Sequence, residues 1–108
     1  MQNEIVLGID FGSSAVRVLT LELNSGNVIN SVEQVYESGI NGVYTSEDDS
    51  LLARQNATDY VSSMRKALSK SKIENKKVGI EMSRVAGIGI DATGSTPLPV
   101  TKEIVALS

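Results

Sequence analysis

At 108 residues the chain is long enough for one domain with a modest core, and 41% apolar residues are enough to fold it. Its formal charge of −3 argues against a general electrostatic grip on nucleic acid or an anionic membrane. The absence of cysteine and histidine excludes disulfides, the common zinc sites and any histidine-based triad, and the 4% aromatic content leaves a core of Val, Ile, Leu and Ala.

Glu4 to Asp10 reads as a strand, and the consecutive Ile5, Val6 and Leu7 suggest cover on both faces. Gly12-Ser13-Ser14 makes a tight turn. Ala15 to Leu23 follows as a second strand, with Arg17, Leu19, Leu21 and Leu23 on one face and Val16, Val18, Thr20 and Glu22 on the other. Asn24-Ser25-Gly26-Asn27 is a hairpin turn, and Val28 to Tyr36 a weaker third strand expected at a sheet edge. Glu37 to Gln55, with two glycines and the acidic run Glu47-Asp48-Asp49, reads as a loop. Asn56 or Thr58 caps a helix to about Ile73, with Tyr60, Val61, Met64 and Leu68 as its core stripe. Glu74 to Ser83 is polar and carries no clear period. Val85 to Asp91 is the fourth strand, again expected to be covered on both faces, and Pro97 and Pro99 stop further regular pairing.

The order is β-β-β-α-β. A helical crossover lets the fourth strand lie parallel to the first, and if these two are neighbours, Asp10 and Asp91 emerge side by side at their carboxyl ends, where ligands of open α/β sheets bind. One helix covers only one face, so 108 residues look like part of a longer protein. No apolar stretch is long enough to span a bilayer, and the N-terminus lacks the basic start of a secretory signal. With no cysteine, a cytoplasmic location is the expectation.

Two segments carry chemistry. In Asp10-Phe11-Gly12-Ser13-Ser14, Gly12 lets the backbone approach an anion, the following N–H and hydroxyl groups suit phosphate oxygens, and Asp10 suits Mg²⁺ directly or through water. A plain β-turn with a turn-forming Asp explains the same residues. Arg17 sits on an otherwise apolar strand face, so it either reaches a phosphate, pairs with a carboxylate or snorkels. Asp91, Thr93, Ser95 and Thr96 cluster oxygen groups at a strand end and suit a polyol or a hydrated metal, or simply form a capped loop closed by Pro97. The lysines from Lys66 to Lys77 read as a solvated helix end.

Together, in this order and spacing, the two segments resemble the N-terminal domain of the FGGY carbohydrate kinases, within the actin/Hsp70/sugar-kinase superfamily. Gly8 to Ser14 with Arg17 looks like that family's first phosphate motif. Gly87 to Pro97 is similar to the Asp-Thr-Thr-Gly-Ser-Thr-Pro segment of its ribulokinase branch, with Ala92 in place of the first Thr. Arg54 to Tyr60 resembles the start of the family's first helix, with Ala57 where a proline is frequent. The resemblance covers nearly the whole chain and implies that residues 1–108 are the N-terminal part of the first kinase domain.

The resemblance implies an α/β fold of ribonuclease H-like, actin-like ATPase type, incomplete within these residues, and ATP-dependent phosphorylation of a ketopentose such as ribulose. Gly12, Ser13 and Ser14 would approach the ATP phosphates, Asp10 would hold Mg²⁺ and Arg17 would support the loop. Asp91, Thr93, Gly94, Ser95 and Thr96 would lie at the sugar end. The catalytic base is expected downstream, so the 108 residues alone are expected to be inactive. The expected partners are the sugar and ATP, not nucleic acid or membrane, with self-association through uncovered sheet surface or an open edge. Two other readings fit such a fold: a metal-dependent nuclease using Asp10 and Asp91, and a non-enzymatic actin- or Hsp70-like nucleotide switch.

Overall fold

Alternation in the first segment sets the plan of the sheet. In the computed structural model, which describes residues 4–39, 42–45 and 53–92, Ile5–Phe11 forms β1. Ile5, Leu7 and Ile9 are buried on one face, while Val6, Gly8 and Asp10 are half-buried on the other. Ser13 and Ser14 turn the chain, and the Gly12 N–H donates to the Ala15 carbonyl at 2.8 Å. Ala15–Glu22 returns antiparallel as β2, adding Val16, Val18 and Thr20 to the buried face and leaving Arg17 on the other. A second turn, in which the Gly26 N–H donates to the Glu22 carbonyl at 2.8 Å, leads to β3, Val28–Val35, antiparallel to β2 and at the sheet edge.

The segment expected to be a loop contains two short strands. Val43–Thr45 (β4) and Ala53–Gln55 (β5) pair antiparallel as a separate ribbon. Strands of three residues are too short for alternation to stand out from a polar background.

Ala57–Lys77 forms α1, which runs past the expected end at Ile73. Asn56 is the cap: its Oδ1 accepts from the Thr58 N–H at 3.0 Å. Of the polar residues that obscured the last turn, Glu74, Lys76 and Lys77 are good helix formers, and the two lysines suit the negative end of the helix dipole. The Asn75 carbonyl accepts from the N–H groups of Val78 and Ile80, which closes the helix end.

The stripe that α1 buries is not the apolar one that its sequence suggests. Asp59, Ser63, Ala67, Ser71 and Asn75 face the sheet at a spacing of four, while Tyr60, Met64 and Leu68 pack at the sides of the core and Val61 is 50% exposed. Small side chains let the helix lie close over β2 and β3, the strands it packs against. Polar contacts pin both ends. Asp59 accepts from the Ser38 hydroxyl at 2.9 Å and the Ser38 N–H at 3.3 Å, and Asn56 donates to the same hydroxyl at 3.2 Å. At the other end the buried Asn75 amide donates to Thr20 Oγ1 at 2.9 Å and to Met82 Sδ at 3.7 Å.

A 3₁₀ turn, Met82–Arg84, leads into Val85–Ala92 (β6), which lies parallel to β1 and completes the order β3-β2-β1-β6. The β-β-β-α-β plan therefore describes the main sheet, with the β4–β5 ribbon added. The second cover expected on the first and fourth strands does not come from the described residues. Ile88 and Ile90 are 58% and 68% exposed, and the half-buried face of β1 meets no helix among the described residues. Within these residues α1 packs on β2 and β3, so β6 has no helix against it, in line with one helix covering only part of the sheet.

The polar seam predicts substitutions of opposite sign. Thr20→Val leaves one N–H of the buried Asn75 amide without its acceptor and should cost about 1–3 kcal/mol in urea denaturation. The Ser71 hydroxyl is buried with no hydrogen-bond partner among the described residues. Ser71→Ala should therefore be neutral or stabilise by roughly 0.5 kcal/mol in the same measurement, since Ala also has the higher helix propensity.

Candidate functional site

Register brings the chemistry to one line. Asp10 of β1 pairs with Asp91 of β6 and with Arg17 of β2, and Arg17 pairs with Glu33 of β3. Residues directly opposite in a ladder share a face, so Asp91, Asp10, Arg17 and Glu33 form a charged row across four strands on the side away from α1. Neighbouring strands lie about 4.8 Å apart, which sets two carboxylates, Asp10 and Asp91, side by side. The Asp91 Oδ1 accepts from the Ala92 N–H at 2.9 Å. Arg17 Nη2 donates to Glu33 Oε2 at 3.1 Å, and both side chains are half-exposed.

The turn after β1 completes the site. Asp10, Gly12, Ser13, Ser14, Ala15, Arg17 and Glu33 line an open pocket of about 220 Å³. Gly12 owes its place to close approach: a Cβ there would sit 3.1 Å from the Ala15 carbonyl oxygen that its own N–H bonds. Two carboxylates and one guanidinium line the pocket, so a bare anion would find little attraction. An anion accompanied by a divalent cation matches this charge set far better. Every metal donor here is oxygen, which suits a hard cation. Among the described residues no three acidic side chains gather to cage one, so such an ion would keep water or ligand oxygens in its shell.

The structure brings together Asp10, Gly12, Ser13, Ser14 and Arg17, and sets Asp91 one strand away from Asp10. Thr93, Gly94, Ser95 and Thr96 lie outside the described residues. Two contributors are not singled out by sequence. Glu33 answers the question left open at Arg17 and was legible in principle, because pairing across the second hairpin places it opposite Arg17. Tyr36, only 3% exposed, donates its hydroxyl to the Gly12 carbonyl at 2.8 Å and its backbone N–H to the Ser14 carbonyl at 3.0 Å. Its ring meets Tyr60 edge-on at 5.3 Å, and Tyr60 meets Phe11 at 5.9 Å. Burial pushes the Tyr36 phenol up to about 12, with Tyr60, Asp10 and Asp59 adding smaller contributions.

Comparison with known proteins gives a consistent set of relatives. The chain is 33% identical over 95 residues to a ribulokinase of Vibrio parahaemolyticus, a match covering 88% of the chain and 16% of that protein. It is also 33% identical to ribulokinases of Staphylococcus epidermidis, over 92 residues, and of Staphylococcus aureus, over 95 residues, each match covering 83% of the chain. The chain thus spans 16–17% of the length of these relatives. Its fold matches the crystal structure of a xyloylose kinase from Brucella ovis with a TM-score of 0.78 at 20% identity, over 96% of this chain and 19% of that one. No family model matches the chain.

The geometry predicts that Arg17 is held cheaply. A double-mutant cycle of Arg17→Ala and Glu33→Ala in urea denaturation should give a coupling below about 1 kcal/mol, as for other solvent-exposed pairs. Tyr36 predicts an alkaline effect. The phenol ionises near 10 in an unfolded chain and at about 12 in the folded one, so the folded state holds that proton more tightly. Its contribution to stability is full below pH 10 and is lost as the pH rises from about 10 to about 12. Over that range the wild type should lose more urea resistance than Tyr36→Phe.

Proposed function

The chain belongs to the ribulokinase-like FGGY carbohydrate kinases, and from that premise we propose that the full-length protein transfers the terminal phosphoryl group of ATP to a hydroxyl of a ketopentose, with ribulose the first candidate. The observation that supports this reading is the row Asp91, Asp10 and Arg17 beside the Gly12-Ser13-Ser14 turn. It offers oxygen ligands, a cation and close backbone approach within one pocket.

Each residue then has a task. The Gly12–Ser14 turn meets the phosphate oxygens with backbone and hydroxyl donors. Asp10 holds Mg²⁺, directly or through its water, and the ion supplies charge neutralisation to the phosphate oxygens when bound. Arg17 leaves Glu33 at small cost and turns its guanidinium to the phosphate. Asp91, one strand from Asp10, takes the sugar side together with Thr93, Gly94, Ser95 and Thr96, and orients the accepting hydroxyl toward the phosphate. In the transfer the hydroxyl oxygen bonds to phosphorus as the bond to ADP breaks, and the hydroxyl proton passes to a base outside this set of residues. Positioning and charge do most of the catalytic work in such a reaction. The proposed location is the cytoplasm, where ATP and Mg²⁺ are supplied; no helix among the described residues is long and apolar enough to cross a membrane. The nuclease and nucleotide-switch readings draw no support from the relatives' names.

The test is coupled ADP release by the full-length protein with ketopentoses, aldopentoses, glycerol or no sugar. Turnover with ribulose is expected, as is its loss on chelation of Mg²⁺. Asp10→Asn should lower kcat by about 10²-fold, the scale of losing one preorganised electrostatic group. The 108 residues alone should release no ADP. Turnover with a different polyol would keep the kinase and replace the sugar, whereas ADP release indifferent to sugar would favour the nucleotide switch.

A further inference from the structure

Tyr36 is bonded to both ends of the turn that lines the pocket, yet it lies on the opposite side of the sheet. Its ring sits in the core with Val16, Val18 and Ala67, under α1, whereas Asp10 and Arg17 occupy the outer face. From below, the phenol holds the Gly12 carbonyl, while the Tyr36 N–H bonds the Ser14 carbonyl from the side, one residue beyond the Ala15–Val35 pair of the β2–β3 ladder. In a trans peptide the carbonyl and the next N–H point in opposite directions. A Gly12 carbonyl drawn down to the phenol therefore turns the other edge of the Gly12–Ser13 peptide toward the pocket. Both Gly12 and Ser13 line the pocket.

We propose that Tyr36 is a positioning residue for phosphate binding: by holding the Gly12 carbonyl against the core, its hydroxyl fixes the orientation of the Gly12–Ser13 peptide at the pocket that takes the phosphate oxygens of the nucleotide. The inference rests on the kinase reading for its ligand, but its geometry belongs to this chain. Two neighbours, Tyr60 and Gly42, fix the ring that does the holding, and a third residue backs one of them. Tyr60 packs against it edge-on, and Phe11, directly before the turn, packs against Tyr60. Gly42, at φ +83°, comes so close that a Cβ there would fall 2.4 Å from the Tyr36 Cβ. The ring is therefore held in place by its surroundings, and the hydroxyl alone reaches the turn. That division makes Tyr36→Phe a clean variant, since it keeps the packing and removes the bond.

The experiment has two arms, both on the full-length protein, wild type against Tyr36→Phe. In the first, amide hydrogen exchange is followed at Gly12 and at residue 36, whose N–H groups bond the Ala15 and Ser14 carbonyls. Exchange there should quicken several-fold while the Val18 and Leu19 amides stay unchanged. In the second, steady-state kinetics should show KM for MgATP raised roughly threefold to tenfold, the scale of one lost hydrogen bond, with KM for the sugar unchanged. Unchanged exchange at the turn overturns the proposal. So does an unchanged MgATP KM, or a loosening spread evenly over the sheet with both KM values alike, which is the result a merely structural tyrosine would give. If the wild type shows no sugar-dependent turnover, the kinase reading fails, and the exchange arm still decides whether Tyr36 orients the turn.

Discussion

A parallel pairing between β1 and β6 requires the chain to leave the sheet and come back in the same direction, and the rest of the molecule is arranged around that crossover. The 21 residues of α1 span about 30 Å, more than the length of any strand in the sheet. The helix is secured at the ends, where a sliding helix would otherwise change the register of β6. Ser38 and Asn56 hold its first turn to the segment after β3, and Thr20 and Met82 hold its last turn beside the entry to β6. With both ends set, Asp91 arrives level with Asp10.

That arrangement explains why the helix buries serines and an asparagine where leucines would be ordinary. Close approach to β2 and β3 needs small side chains, and the end contacts need donors and acceptors. The cost is visible in Ser63 and Ser71, whose buried hydroxyls have no hydrogen-bond partner among the described residues. Apolar packing is supplied instead by Tyr60, Met64 and Leu68 along the flanks. The seam thus favours a defined placement over the largest burial of apolar area.

The same trade determines what could be read from sequence. The apolar runs of β1 and β2 marked them as strands without showing which face is buried, because both faces carry apolar side chains, and the turn residues placed both hairpins. The parallel direction of β6 followed from the crossover rule, whereas its place next to β1, which sets Asp10 beside Asp91, depends on long-range packing that no local pattern encodes. The helix was legible as a helix but not in its orientation, because periodicity weighs Tyr60 and Val61 above Ser63 and Ser71 and cannot register close approach. Glu33 was hidden for a simpler reason: a charge on an edge strand looks like solvated surface until the hairpin register sets it opposite Arg17. Tyr36 was hidden because its contact is with main-chain carbonyls, which leave no side-chain pattern. The β4–β5 ribbon was too short for any period to mark.

The ladder between β1 and β6 also has a consequence in time. β1, β2 and β3 are joined by short turns, so their contacts are local and quick to close. The pairing that sets Asp91 beside Asp10 joins residues about eighty positions apart, and long loops close late. During synthesis at about 5–20 residues per second, roughly 4–16 s separate the appearance of Phe11 from that of Ala92. For that interval the nascent chain has the Gly12–Ser14 turn before it has the strand that supplies Asp91, and the open edge of β1 waits, unpaired, for a strand the ribosome has not yet made.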